Sequence, residues 1–194
     1  MALRTIVTLP EPVLYRKAQA VTKFDKDLQT LIEDMVDTMR EAPGVGLAAP
    51  QVGISERLIV VEYAEPPAPS PLHPSPGGRG DEAEGDGQEV KEQKEVKPKL
   101  YVMINPEIVK TSEETVLGVE GCLSIPGLVG EVERYEEIQV RGLNRRGQPM
   151  KVKARGWLAR IFQHEIDHIN GVVFTQRATK VWKPVTEEEE QDRV

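Results

Sequence analysis

The chain has 194 residues, 39% of them hydrophobic, 29% charged and 5% aromatic. This length fits one domain with appendages, and the composition excludes wholesale disorder, a disulfide scaffold and a collagen-like repeat. Eight acids and five bases from Ala64 to Lys99, with five acids and one base from Thr186 to Val194, account for the whole net charge of −7. The remaining body is neutral, without the basic stripe of a protein that grips phosphate backbones, so direct DNA binding is not expected.

The first ten residues break their apolar run with Thr5, Thr8 and Pro10, unlike a secretory signal. No window reaches the roughly 18 consecutive apolar residues of a membrane span. One cysteine, Cys122, excludes an intramolecular disulfide and is expected in a reducing cytoplasm. Between Phe24 and Gly44, Leu28, Leu31, Ile32, Met35, Val36 and Met39 recur at helical spacing, with Asp25 placed to cap the start and Pro43-Gly44 to stop it.

Gly44-Val-Gly-Leu-Ala-Ala-Pro-Gln51 follows. It lacks the Lys-Ser/Thr of a phosphate loop and the preceding strand of a dinucleotide fingerprint. The alternative is a tight edge segment that pairs with an extended peptide and ends in Gln51, an uncharged donor suited to a developing oxyanion. Leu58 to Tyr63 and Leu100 to Ile104 read as strands flanking a stretch, 64–99, with seven Pro and five Gly. That stretch is expected to be a disordered insertion in a single domain spanning 1–185, replacing a short inter-strand connection. Glu136 to Arg141 and Met150 to Ala154 flank Asn144-Arg-Arg-Gly147 as a hairpin. A second helix is predicted from about Gly156 to Asn170, capped by Gly171. The chain then ends in an acidic tail, 186–194.

The second helix carries the chemistry. The template i, i+3, i+4, i+7 from Ile161 lands on His164, Glu165 and His168, where packing alone would place Leu or Ile. His164-Glu-Ile-Asp-His168 is H-E-x-x-H, with two imidazoles on one helix face at about 5–6 Å between β-carbons, a span one metal ion bridges. Paired helix histidines are also common as satisfied core or surface residues. A buried carboxylate between them, however, costs several kcal/mol unless paired or functional. A catalytic ion takes one more ligand and keeps an open position. No histidine follows Gly171, and His73 lies in the insertion. Cys122, in Glu120-Gly-Cys-Leu-Ser124, reads either as a small buried hydrophobe or as the third ligand, placed on a constrained edge by Gly121 and a turn at Pro126-Gly127.

Three blocks stand in order: Gly44-Val-Gly-Leu-Ala-Ala-Pro-Gln51, Glu120-Gly-Cys-Leu-Ser124 and Gln163-His-Glu-Ile-Asp-His168. Together they resemble the signature motifs of peptide deformylases, and the likeness covers nearly everything except insertion and tail. The resemblance implies an α+β fold, with antiparallel β-sheets packed around a central helix that carries H-E-x-x-H, plus one N-terminal amphipathic helix. It implies that Cys122, His164 and His168 bind one divalent metal ion, Fe(II) in the cell with zinc, nickel or cobalt tolerated. Glu165 would act as general base and acid, and Gln51 and the Leu123 N–H would steady the formyl oxygen. The substrate would be an N-formylmethionyl nascent peptide, its backbone paired with Gly46. Its side chain needs an apolar slot, for which Val45, Trp157 and Ile161 are candidates, Trp157 and Ile161 lying seven and three residues before His164 on nearly the same face; ordinary core packing is the other reading of each. Leu128 and Val129 stand where many members carry polar or basic residues. The acidic tail argues against ribosome docking through a basic C-terminal helix. Two other readings are an H-E-x-x-H peptidase with a carboxylate third ligand, which predicts that Cys122→Ser keeps metal and activity, and a closed structural metal site.

Overall fold

Leu58, Ile59, Val60 and Val61 are all fully buried, a run that a strand tolerates only when both faces of its sheet are covered. In the computed structural model, which describes residues 2–64 and 97–184, this run opens β2 (Leu58–Tyr63). Before it come α1 (Lys26–Glu41) and the short β1 (Gly46–Ala48). After it come β3 (Lys99–Thr111), β4 (Thr115–Cys122), β5 (Ile125–Tyr135), β6 (Glu137–Leu143), β7 (Pro149–Arg155), α2 (Gly156–Ile169) and β8 (Lys180–Trp182). Residues 65–96 and 185–194 lie outside the described residues, and with them most of the expected insertion, His73 and the acidic tail.

Two antiparallel sheets result, one ordered β1-β2-β3-β6-β7 and the other β4-β5-β8. Strand alternation divides β2 between two cores. Leu58 and Val60 meet the apolar stripe of α1 (Leu28, Ile32, Met35, Met39) on one face. Ile59 and Val61 meet Leu158, Ile161, Phe162, Ile166 and Ile169 of α2 on the other. Helix α1 starts as expected, with the Asp25 carboxylate accepting from the Leu28 N–H at 3.1 Å. Lys99 pairs with Tyr63, so the stretch between them does join two neighbouring strands, and β6 and β7 form the anticipated hairpin.

Helix α2 is therefore covered on both sides, with eleven of its fourteen residues buried. Its apolar face lies on the five-stranded sheet, and its polar face meets the three-stranded one. Gln163 exchanges bonds with the Tyr135 backbone at 3.0 and 2.9 Å, and Arg160 donates to the carbonyls of Val116 and Val132 at 2.7 and 2.8 Å. The helix ends at Gly171 in the left-handed region (φ 75°), whose N–H returns to His168 O at 3.1 Å. A β-carbon there would also lie 2.8 Å from the Tyr15 carbonyl, so glycine is required twice over.

One sequence expectation is corrected. The chain reverses at Leu123-Ser124, not at Pro126-Gly127. Pro126 and Gly127 lie within β5 opposite a register shift, where Gly121 pairs with Val129 but Cys122 pairs with Ile125. The positive φ of Gly127, 73°, serves that bulge rather than a hairpin turn.

Candidate metal centre

His164 and His168 stand one turn apart on α2, and Cys122 is the last residue of β4. The bulge and the tight Leu123-Ser124 turn direct the thiol at the helix. Cys122 Sγ lies 3.2 Å from His168 Nε2, and His168 Nε2 lies 3.2 Å from His164 Nε2. All three ligand atoms fall within 4.8 Å of one another, the only such cluster among the described residues. His168 is fully buried, and Cys122 and His164 retain some exposure. Two nitrogens and a sulfur make a donor set for a borderline-soft divalent ion, and tetrahedral nitrogens about 2 Å from one ion stand about 3.3 Å apart, close to the spacing here.

The back of this cluster is held by charges that the sequence reading did not single out. Glu120 Oε2 lies 2.9 Å from His164 Nδ1, turning the Nε2 edge towards Cys122 and His168. The same carboxylate accepts from Arg134 Nε at 2.8 Å and Nη2 at 3.0 Å, and from Arg160 Nη1 at 2.9 Å. Arg134 continues to Asp167 at 2.6 Å, which also accepts from Arg177 Nε at 2.6 Å. Burial alone would raise the Glu120 pKa, but the bonds from Arg134 and His164 outweigh it and hold the carboxyl at about 2. The available signal was the period of two in β4, which puts Glu120 and Cys122 on one face.

In front of the cluster lies a cavity of about 390 Å³ lined by Gly44, Val45, Gly46, Gln51, Cys122, Leu123, Leu128, Trp157, Arg160, Ile161, His164 and Glu165 among others. Every residue singled out in the sequence for catalysis or substrate contact is on this wall. His168 sits behind it. Gln51 Oε1 is fixed by the Ala48 N–H at 2.8 Å, which leaves Nε2 facing Cys122 Sγ at 3.5 Å. Ile161 belongs to the buried core, whereas Val45 and Trp157 are 44% and 46% exposed at the rim. Glu165 is buried with no hydrogen-bond partner on Oε2. Burial and the nearby Glu120 charge raise its pKa to about 7, against the opposing pull of His164 and Arg134.

The polypeptide deformylase family pattern matches residues 3–183. The peptide deformylase of Symbiobacterium thermophilum is 47% identical over 192 residues, covering 99% of this chain and 74% of that protein. The chain belongs to the peptide deformylase family. Crystal structures of family members agree in fold. The Thermotoga maritima peptide deformylase has a TM-score of 0.72 at 37% identity, covering 93% of this chain and all of that one. The Ehrlichia chaffeensis enzyme in complex with actinonin has a TM-score of 0.73 at 37% identity, covering 93% and 91%. Peptide deformylases are metal-dependent hydrolases that remove the N-formyl group from nascent peptides, and this chain is such an enzyme. The peptidase reading required a carboxylate as third ligand, and among the described residues none joins the Cys-His-His cluster. No helix of the described residues is long and apolar enough to cross a membrane.

Proposed function

We propose that Cys122, His164 and His168 hold one divalent ion and that Glu165 carries the protons in deformylation of N-formylmethionyl peptides. The observation that carries this reading is the convergence of one sulfur and two imidazole nitrogens, each 3.2 Å from the next, at the back of a cavity walled by Glu165 and Gln51. The family resemblance points to Fe(II) as the resident ion, and a thiolate with two imidazoles also accommodates zinc, nickel or cobalt. When bound, the ion supplies Lewis-acid chemistry, polarising the formyl carbonyl and easing deprotonation of water beside it.

Glu165 takes a proton from the water that attacks the formyl carbon and returns it to the departing amine, leaving formate and a free N-terminus. Its burial keeps proton affinity close to neutrality, as a group that both accepts and donates requires. Gln51 Nε2 and the Leu123 N–H donate to the oxyanion, where charge exists only in the transition state. Gln51 enters this role pre-oriented, since its own carbonyl is already tied to Ala48.

The methionyl side chain occupies the slot bounded by Val45, Trp157 and Ile161, with apolar contact suited to an unbranched thioether. β1 is the edge of its sheet, and Val45 O already accepts from the Glu62 N–H at 2.9 Å on the β2 side. Alternation then points the Gly46 N–H and C=O at the free edge, where an extended peptide pairs. A thiolate ligand suits a reducing cytoplasm. The segment 186–194, with five acids and one base, would be repelled by RNA phosphates.

The test compares hydrolysis of formyl-Met-Ala-Ser and acetyl-Met-Ala-Ser by the wild type and Glu165→Ala. Selective cleavage of the formyl peptide, abolished in the variant, supports the assignment. Equal rates on both peptides, or an active variant, contradict it.

A further inference from the structure

Gly46 stands in β1 without a positive φ, unlike Gly53, Gly127, Gly147, Gly156 and Gly171. Its backbone conformation is open to any residue, and glycine weakens a strand interior. The reason for glycine therefore lies in what fills the space beside it. A β-carbon at Gly46 would lie 2.4 Å from Glu165 Oε1, 2.8 Å from Cδ and 2.9 Å from Cγ. All three nearest atoms belong to that one carboxylate arm.

A β-carbon at Gly46 would displace the Glu165 carboxylate. Glu165 is 4% exposed, and it projects from a helix packed between two sheets. Its Oε2 has no hydrogen-bond partner, so no polar neighbour fixes the carboxylate from that side. Its Oε1, Cδ and Cγ occupy the space beside β1 that a side chain at position 46 would take. We propose that Gly46 is a positioning residue, whose missing side chain lets the Glu165 carboxylate rest against β1 at the point from which it exchanges protons with the substrate. This rests on the assignment of Glu165 as the proton carrier and adds to Gly46 a role separate from its backbone pairing with the peptide. An alanine would push the carboxylate aside by about 1 Å, a displacement able to cost about a hundredfold in rate.

Gly46→Ala keeps the backbone N–H and C=O that a peptide would use, so the two roles separate kinetically. With formyl-Met-Ala-Ser, Gly46→Ala is expected to lower kcat about a hundredfold, to leave KM within about threefold, and to leave bound metal per chain unchanged. Glu165→Asp draws the carboxylate back by one methylene, so it should cost at least about tenfold less in the Gly46→Ala background than in the wild type. Additive costs, a change in KM alone, or loss of metal from Gly46→Ala overturn the proposal. Should Gly46→Ala not fold, recovery of folding by added Glu165→Asp supports it and continued unfolding overturns it. An active Glu165→Gln variant would instead remove the underlying assignment, whatever Gly46→Ala does.

Discussion

Glu120 Oε2 sits 2.9 Å from His164 Nδ1, on the ring edge opposite the one that faces Cys122 and His168. A carboxylate on the far nitrogen fixes the tautomer and aim of an imidazole and raises its basicity towards an ion. Glu120 also takes three bonds from Arg134 and Arg160, so the brace is itself anchored. Glu120→Gln keeps the shape and removes the charge. It should weaken metal retention by about 10–100-fold, measured by competition with a chelator, with the wild-type circular dichroism spectrum preserved.

Gly118 is the second site where a missing side chain makes room for a buried charge. A β-carbon there would lie 2.7 Å from Arg160 Cζ and Nη2 and 2.9 Å from Nε. The guanidinium is held in place by bonds to Val116 O, Val132 O and Glu120. Gly118→Ala should therefore destabilise the protein by about 1–3 kcal/mol, read by urea unfolding. Most of that loss should disappear in an Arg160→Ala background, because the clash has one partner.

The N-terminal segment is tied to α1 through Asp34, which accepts from the Ala2 N–H at 2.8 Å and from Arg4 Nη2 at 3.0 Å. The Ala2 bond is the largest influence, burial opposes it, and Arg4 adds to it; together they hold the carboxyl below its ordinary value of 3.8. A depressed carboxyl contributes stability that is complete above the unfolded-state pKa and fades as pH falls through the folded one. Asp34→Asn should thus lower the thermal midpoint at pH 7, with the gap to wild type closing below about pH 4. A gap that stays constant into the acid would remove the charge from this account.

Much of this architecture was legible because it repeats along the chain. The stripe of Leu28, Ile32, Met35 and Met39 fixed α1, and the replacement of that kind of stripe by His164, Glu165 and His168 marked α2 as a site. Cys122 was legible only by elimination and resemblance, since nothing in its spacing locates it beside α2. Arg134 and Asp167 were silent. Their ion pair joins residues 33 positions apart, and charged residues on a helix ordinarily face water. They are buried here because the three-stranded sheet covers the polar side of α2, a layer that no local pattern announces. The misplaced turn has the same origin: Pro126-Gly127 carries turn chemistry, and only the register of β4 on β5 converts it into a bulge.

The account depends on the thiol of Cys122 joining the two imidazoles around one ion. X-ray absorption of the metal-loaded protein tests this most directly. The prediction is one sulfur at about 2.3 Å with two imidazole nitrogens and a further light-atom position. A shell without sulfur, or one closed by four protein side chains, would contradict it.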